Sequence, residues 1–281
     1  MMHRYGLIAE AGLVCLVQEL MPNGDLFDAI TPGYGMPAAD GGTVLANVCA
    51  GLHYLHTVHG LAHLDLKSEN ILLAPGPIAK LGDFDAALPF GTQVARVRGT
   101  ESVHPPEFLD ATPTAKEIAA SADVWAVGTL AYVLMFGKYV WRSTRDADYA
   151  AYRLTNTLLA PTAPEPLNAF FAGIFAVDPA ARPTAEQAGR FVEANWVQLV
   201  THLRQNSNST TTSSATGPVP YTPEPKKTAK SSSDYTGRNS PPLGRNSPAL
   251  GKSGGKRRTT LGRAWKALSK ALSSHIPEEG T

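Results

Sequence analysis

Between His63 and Asn70 the chain gathers an imidazole, two carboxylates, an ammonium and an amide: His63-Leu64-Asp65-Leu66-Lys67-Ser68-Glu69-Asn70. The apolar run Ile71-Leu72-Leu73 follows directly, and a second acidic pair stands at Asp83-Phe84-Asp85. Carboxylate and amide oxygens can take up a proton or hold a hard divalent cation, and an ammonium between them can neutralise an anionic group. Such chemistry works only if the groups are held at fixed separations, so the elements that carry them matter as much as their types.

Those elements can be read from the pattern. Two short strands are expected within 7–19, around the turn-like Glu10-Ala11-Gly12, and the second is the apolar, β-branched Leu13-Val14-Cys15-Leu16-Val17. Pro22-Asn23-Gly24 breaks the strand, and Asp25 can cap a short helix through Ile30. A breaker cluster at 31–42 precedes a helix with Leu45, Val48, Cys49, Leu52 and Leu55 at helical spacing. Short apolar groups separated by charges predict loops and small hairpins between His63 and Phe90. Helical patterns return at 122–137, 167–175 and 184–203. The expected fold class is therefore α+β and predominantly helical.

The loop at 61–73 resembles the catalytic loop of protein kinases, His-x-Asp-x-Lys-x-x-Asn followed by three apolar residues. Four further stretches resemble motifs of the same family, in the same order. Asp83-Phe84-Asp85 stands where the metal-binding Asp-Phe-Gly is expected. Gly99-Thr100 with Pro105-Pro106-Glu107 is similar to the end of the activation segment, and Asp123-Val124-Trp125 to the start of the central buried helix. Asp178 to Thr184 is similar to the motif whose Arg pairs with that Glu, here Arg182 with Glu107. The resemblance covers roughly 3–203. It implies a kinase-like C-lobe, ATP and Mg2+ as cofactors, and transfer of the γ-phosphate to Ser or Thr hydroxyls. It assigns Asp65 to orienting the acceptor hydroxyl and taking its proton, and Lys67 to the charge of the moving phosphoryl group. Asn70 and Asp83 would hold the metal, and Asp123 would hold the catalytic-loop backbone. Lys67 at its position is similar to the serine/threonine branch. Val17 to Leu26 resembles the last N-lobe strand and the hinge, with Gln18 as gatekeeper. The Glu19 carbonyl and the Met21 backbone would face adenine, Asp25 would reach the ribose, and Leu72 would floor the pocket. The wording of Lys80 to Ala87 is similar to that of herpesvirus-type kinases.

Departures from the pattern set the alternatives. No Gly-x-Gly-x-x-Gly loop precedes Asp65, and Lys67 is the first lysine of the sequence. The expectation is a chain that starts near a kinase's fourth strand and turns over poorly without a phosphate clamp. Asp85 replaces the Gly of Asp-Phe-Gly, removing a flexible backbone point. Leu64 replaces the Arg that commonly receives an activation-loop phosphate. Three functions stay open: a serine/threonine kinase completed by an N-lobe from elsewhere, a pseudokinase scaffold that binds a protein partner through the C-lobe and tail, and a chain whose tail is the functional part with the lobe as a folded anchor.

The 281-residue chain has net charge +1, but the average hides a split. Up to Asn195 there are 12 Lys and Arg against 20 Asp and Glu; beyond it, 13 against 4. The division read from this is 1–21 as N-lobe remnant and hinge, 22–205 as kinase-like C-lobe, 206–260 as a disordered basic Ser/Pro/Lys-rich tail, and 261–276 as a basic amphipathic helix. That helix places Leu261, Trp265, Leu268 and Leu272 on one face, with Arg263, Lys266 and Lys270 off it, which suits an anionic membrane surface or a partner's groove. Protein substrates or a partner kinase are the other expected partners, and no specific nucleic acid is expected. Two cysteines make no disulfide framework, and neither signal peptide nor membrane span is apparent, so an intracellular setting, cytoplasmic or nuclear, is expected.

Overall fold

The computed structural model describes residues 2–10, 13–76, 78–109, 115–141 and 164–208. The chain divides into two units, Met1–Tyr221 and Thr222–Thr281, and every described residue falls in the first. The expectations for the tail beyond 208 and for the 261–276 helix lie outside the described residues.

Strands β1 (Arg4–Glu10) and β2 (Leu13–Gln18) pair antiparallel, from Glu10 opposite Leu13 to Arg4 opposite Gln18, with an irregularity between Arg4 and Gly6. Asp25 then caps α1 (Leu26–Ala29) through its Oδ1, which accepts the Asp28 N–H at 3.1 Å. Both features follow the sequence pattern.

The long α2 (Ala38–His59) starts five residues earlier than the breaker cluster suggests. Gly41 and Gly42, which look like breakers, lie inside the helix, and Trp196 packs against Gly42. A Cβ at Gly42 would sit 2.8 Å from Trp196 Cδ1. The missing side chain is a packing device. Leu45, Val48, Cys49, Leu52 and Leu55 form the buried face, and Gly60 ends the helix in the left-handed conformation at φ 61°.

Four short strands follow in loops. β3 (Leu61–Ala62) pairs with β6 (Leu88–Pro89), and β4 (Ile71–Leu73) pairs with β5 (Ala79–Leu81). β7 (Gln93–Val94) pairs with β8 (Lys116–Glu117), and the short helix α3 (Pro106–Leu109) lies between them in sequence. Three helices complete the described fold: α4 (Ala120–Phe136), α5 (Glu165–Ile174) and α6 (Ala185–Asn208).

Helix α4 is apolar on every side, so it must be covered on every side. It is buried from Ala122 to Ala131 without a break. Gly128 lets α5 approach, since a Cβ there would meet Phe175 Cε1 at 2.7 Å. Trp125 stacks on Trp141 with ring centroids 5.5 Å apart and meets Phe175 edge-on at 4.9 Å. Helix α2 packs chiefly against α6 and α4. The result is a predominantly helical α+β fold with four two-stranded hairpins and pairings among the described residues. No described helix is long and apolar enough to cross a membrane.

Candidate active site

The site is organised from Asp123, in the first turn of α4 and only 1% exposed. Its Oδ1 accepts the Leu64 N–H at 2.8 Å, and its Oδ2 accepts the His63 N–H at 2.7 Å. The Nε2–H of His56, from the last turn of α2, donates to the same Oδ2 at 2.8 Å. A buried carboxylate is tolerable because it is hydrogen-bonded to this degree. The reward is a rigid loop. Leu64 sits at φ 66°, a left-handed conformation that costs an ordinary residue about 1–2 kcal/mol. The Asp123 hydrogen bond holds it there. The Leu64 side chain fills a small apolar cluster with Ala62, Ala86, Val97, Ile118 and Ala122.

His63 is fully buried. Its Nε2–H donates to the Gly82 carbonyl at 2.9 Å, which leaves Nδ1 to accept weakly from the Asp65 N–H at 3.4 Å. Its ring lies against Phe84, with centroids 5.0 Å apart. The imidazole thus ties the 63–70 loop to the 82–84 segment.

Around Asp65 three residues converge. Oδ1 accepts the Thr100 N–H at 2.8 Å, and Oδ2 lies 3.0 Å from Lys67 Nζ and 3.1 Å from Asn70 Nδ2. Lys67 Nζ also donates to Thr100 Oγ1 at 2.7 Å, and Asn70 Nδ2 to the Asp65 carbonyl at 2.8 Å. Burial by itself pushes the Asp65 carboxyl up, but hydrogen bonds from Thr100 and Lys67 outweigh it and hold the carboxyl below its ordinary value. Asp65 is therefore an ionised, well-oriented acceptor.

Asn70 and Asp83 are brought together by the β4–β5 hairpin. The Gly82 N–H donates to the Asn70 carbonyl at 2.8 Å, so Asp83 follows directly beside Asn70. Asp83 is exposed and left-handed, at φ 52°, and its Oδ1 accepts the Asp85 N–H at 3.3 Å. Asp85 itself has no positive φ. Asp85 thus takes the place of the glycine without backbone strain and adds a carboxylate, and the unusual backbone lies at Asp83. An amide oxygen and a carboxylate form a hard oxygen donor set suited to Mg2+, which usually takes only one or two protein ligands beside phosphates and water.

On the hinge side, Glu19 directs its carboxylate away from the loop. Lys80 Nζ reaches both its oxygens at 2.9 Å, and the His3 N–H donates to Oε1 at 2.6 Å. Burial pushes this carboxyl up, and Lys80 and His3 together leave it below the ordinary value. Gln18 ends β2, Met21 is buried, and its carbonyl accepts the Gly24 N–H at 3.2 Å. Leu72 lies in β4, bridged to Asp25, with its Cδ1 3.2 Å from where a Cβ of Gly82 would stand. One oxygen of Asp25 is engaged in capping α1.

Away from this centre, Arg182 and Glu107 form a two-pronged ion pair, Nη1–Oε1 at 2.7 Å and Nη2–Oε2 at 2.8 Å. Arg182 also donates to the carbonyls of Ala176 and Ser121 at 2.9 and 3.0 Å, and lies over the Trp125 ring at 5.0 Å.

Two partners had no sequence signal strong enough to assign. Thr100 stands 35 residues beyond Asp65 and entered only as part of a Gly-Thr pair, yet it holds both Asp65 and Lys67. His56 is one of several histidines near the end of α2, and only the fold selects it for Asp123.

The family model for the protein kinase domain matches residues 2–196. Serine/threonine-protein kinase SBK1 of Danio rerio is 36% identical over 137 residues, covering 47% of this chain and 34% of the relative. Serine/threonine-protein kinase SBK1 of Mus musculus is 30% identical over 200 residues, 67% of this chain and 47% of the relative. Serine/threonine-protein kinase DCLK2 of Mus musculus is 36% identical over 135 residues, 47% of this chain and 17% of the relative. The chain spans less than half the length of each of these relatives. With its catalytic-loop geometry built around Asp123 and a domain match over most of its length, the chain belongs to the protein kinase family.

Proposed function

We propose that this site transfers the γ-phosphate of ATP to Ser or Thr hydroxyls of a protein. The observation that supports this most directly is the convergence of Thr100, Lys67 and Asn70 on an ionised Asp65. Asp65 would orient the acceptor hydroxyl and take its proton as the oxygen becomes charged. Lys67, already within 3.0 Å of that carboxylate, would meet the negative charge of the moving phosphoryl oxygens. Asn70 and Asp83 would hold Mg2+, which when bound supplies charge neutralisation between the phosphates. The hinge backbone beside Glu19 and Met21, with Asp25 and Leu72, would receive the nucleoside.

The test uses the full chain with Mg2+ and ATP, reading phosphate transfer to Ser and Thr peptides and, separately, nucleotide binding. Asp65→Asn should lose transfer and keep binding. Transfer retained in that variant removes Asp65 from the role. A second reading, a scaffold without catalysis, is favoured by one observation: the exposed carboxylate of Asp85 beside Asp83 adds negative charge where a triphosphate would sit. Asp85→Gly separates the two. On the catalytic reading, Mg2+-dependent ATP binding is present in the wild type; on the scaffold reading it is absent and returns, if at all, only in the variant.

A further inference from the structure

The segment 91–100, Gly-Thr-Gln-Val-Ala-Arg-Val-Arg-Gly-Thr, carries two cations and no carboxylate. Val97 is buried at 7% exposure in the cluster with Leu64, while Arg96 and Arg98 on either side of it are exposed. That alternation anchors the chain by its apolar residue and turns both guanidinium groups outward. The anchoring continues beyond them. His104 Nε2–H donates to the Arg98 carbonyl at 3.2 Å, and the Thr100 N–H to Asp65 Oδ1 at 2.8 Å. Successive α carbons are about 3.8 Å apart, so Arg98 lies within about 8 Å, Cα to Cα, of the residue that grips Asp65.

Most of the basic residues placed near these elements are already used. Lys67, Lys80 and Arg182 pair with carboxylates, and Arg204 donates to three backbone carbonyls. Among the described residues neither Arg96 nor Arg98 makes an ion pair or a side-chain hydrogen bond. Both acids of the catalytic loop are already engaged, Asp65 by Thr100, Lys67 and Asn70, and Glu69 by Ser68 and Tyr139, whose hydroxyls lie 3.0 and 3.3 Å from its Oε2.

We propose that Arg96 and Arg98 form an anion-recognising subsite beside Asp65, selecting peptides with acidic groups next to the acceptor hydroxyl. The inference rests on the phosphotransfer reading for the identity of that acceptor. Position favours a peptide over a single small anion: Arg98 stands two residues from Thr100, whose N–H is bound to Asp65, the group that would meet the acceptor hydroxyl. Carboxylate and phosphate side chains share the chemistry, and guanidinium forks suit both.

The test measures fluorescence anisotropy of short labelled peptides with a central Ser flanked by Asp, by phosphoserine, by Ala or by Arg, titrated with the full chain. Wild type is compared with Arg96→Ala/Arg98→Ala. Both proteins keep the basic tail, so its general attraction for acidic peptides cancels. Two exposed charge pairs lost together should weaken binding of an anionic peptide by about 2- to 30-fold and leave the Ala peptide unchanged. Loss with both anionic peptides shows that carboxylates suffice; loss with the phosphopeptide alone identifies phosphate as the anion. Equal affinities in wild type and variant, or a wild-type preference for the Arg-flanked peptide, overturn the inference. If the double variant melts lower than wild type, Arg96→Gln and Arg98→Gln singly give the same comparison. Asp65→Asn should keep the preference, so failure of phosphotransfer and failure of selectivity are read separately.

Discussion

Replacing Arg182 with Ala tests the packing argument at its most exposed point. The Arg182 side chain is 0% exposed and its partner Glu107 is 26% exposed. Removing the guanidinium leaves Glu107 without its two hydrogen bonds, frees the Ala176 and Ser121 carbonyls, and empties the face of Trp125. Breaking a fully buried pair costs about 3–5 kcal/mol, and the partial exposure of Glu107 lowers that to about 2–4 kcal/mol, since water can reach the stranded carboxylate. In a unit of this size 1 kcal/mol moves Tm by about 2–4 °C, so the expected drop is roughly 4–16 °C. Calorimetry or circular-dichroism melting of the full chain measures it. The double variant Arg182→Ala/Glu107→Ala carries a sharper expectation. Much of the single variant's cost is an uncompensated carboxylate, so removing Glu107 as well should cost little more, or give some stability back. A melting curve for Arg182→Ala that overlays the wild type refutes the reasoning. So does a double variant whose loss equals the two single losses added together.

Two glycines of the helices should respond in opposite directions. Gly41→Ala meets nothing closer than 3.7 Å and gains helix propensity, so it should raise stability by up to about 1 kcal/mol, whereas Gly128→Ala pushes into Phe175 and should cost about 1–3 kcal/mol; denaturant melts of both variants check the signs. The Asp65 carboxyl is held below its ordinary value, so its contribution to stability is complete above about pH 4 and is lost only as pH falls through the lower folded value. The stability gap between wild type and Asp65→Asn should therefore stay flat from about pH 8 to about pH 5 and narrow below about pH 4; a gap that closes above about pH 5 contradicts the depressed value. For the C-terminal segment, a peptide of residues 256–276 should show a blue shift of Trp265 with anionic vesicles and none with neutral ones, and no response to either removes the membrane surface as its target.

The helices were legible because their signals are local. The spacing of Leu45, Val48, Leu52 and Leu55, the cap at Asp25 and the all-apolar run from Val124 each determine structure within a few residues. Gly42 misled for the complementary reason: its role is set by Trp196, about 150 residues away, and no window around Gly42 contains it. The site divides along the same line. Asp65, Lys67, Asn70 and Asp83 stand in compact patterns, and the structure brings them around one hairpin and one loop. Thr100 and His56 belong to the same hydrogen-bond network, but their spacing carries no period to read.

Leu64 shows how one substitution changes the way a loop is coupled to its surroundings. A cation at this position would look for an anion, and its contacts would rise and fall with phosphorylation or salt. Leu64 instead packs with Val97, Ala86 and Ile118, so the loop carrying Asp65 and the segment carrying Thr100 share one apolar cluster. Burial of that kind is neither screened by salt nor altered by adding a phosphate elsewhere on the segment. The left-handed backbone at Leu64 is paid for by the Asp123 carboxylate, which is itself held by His56 and by the amide of His63. The chain of contacts from α2 through Asp123 and Leu64 to Val97 and Thr100 therefore ties Asp65 into the fold through buried packing and hydrogen bonds.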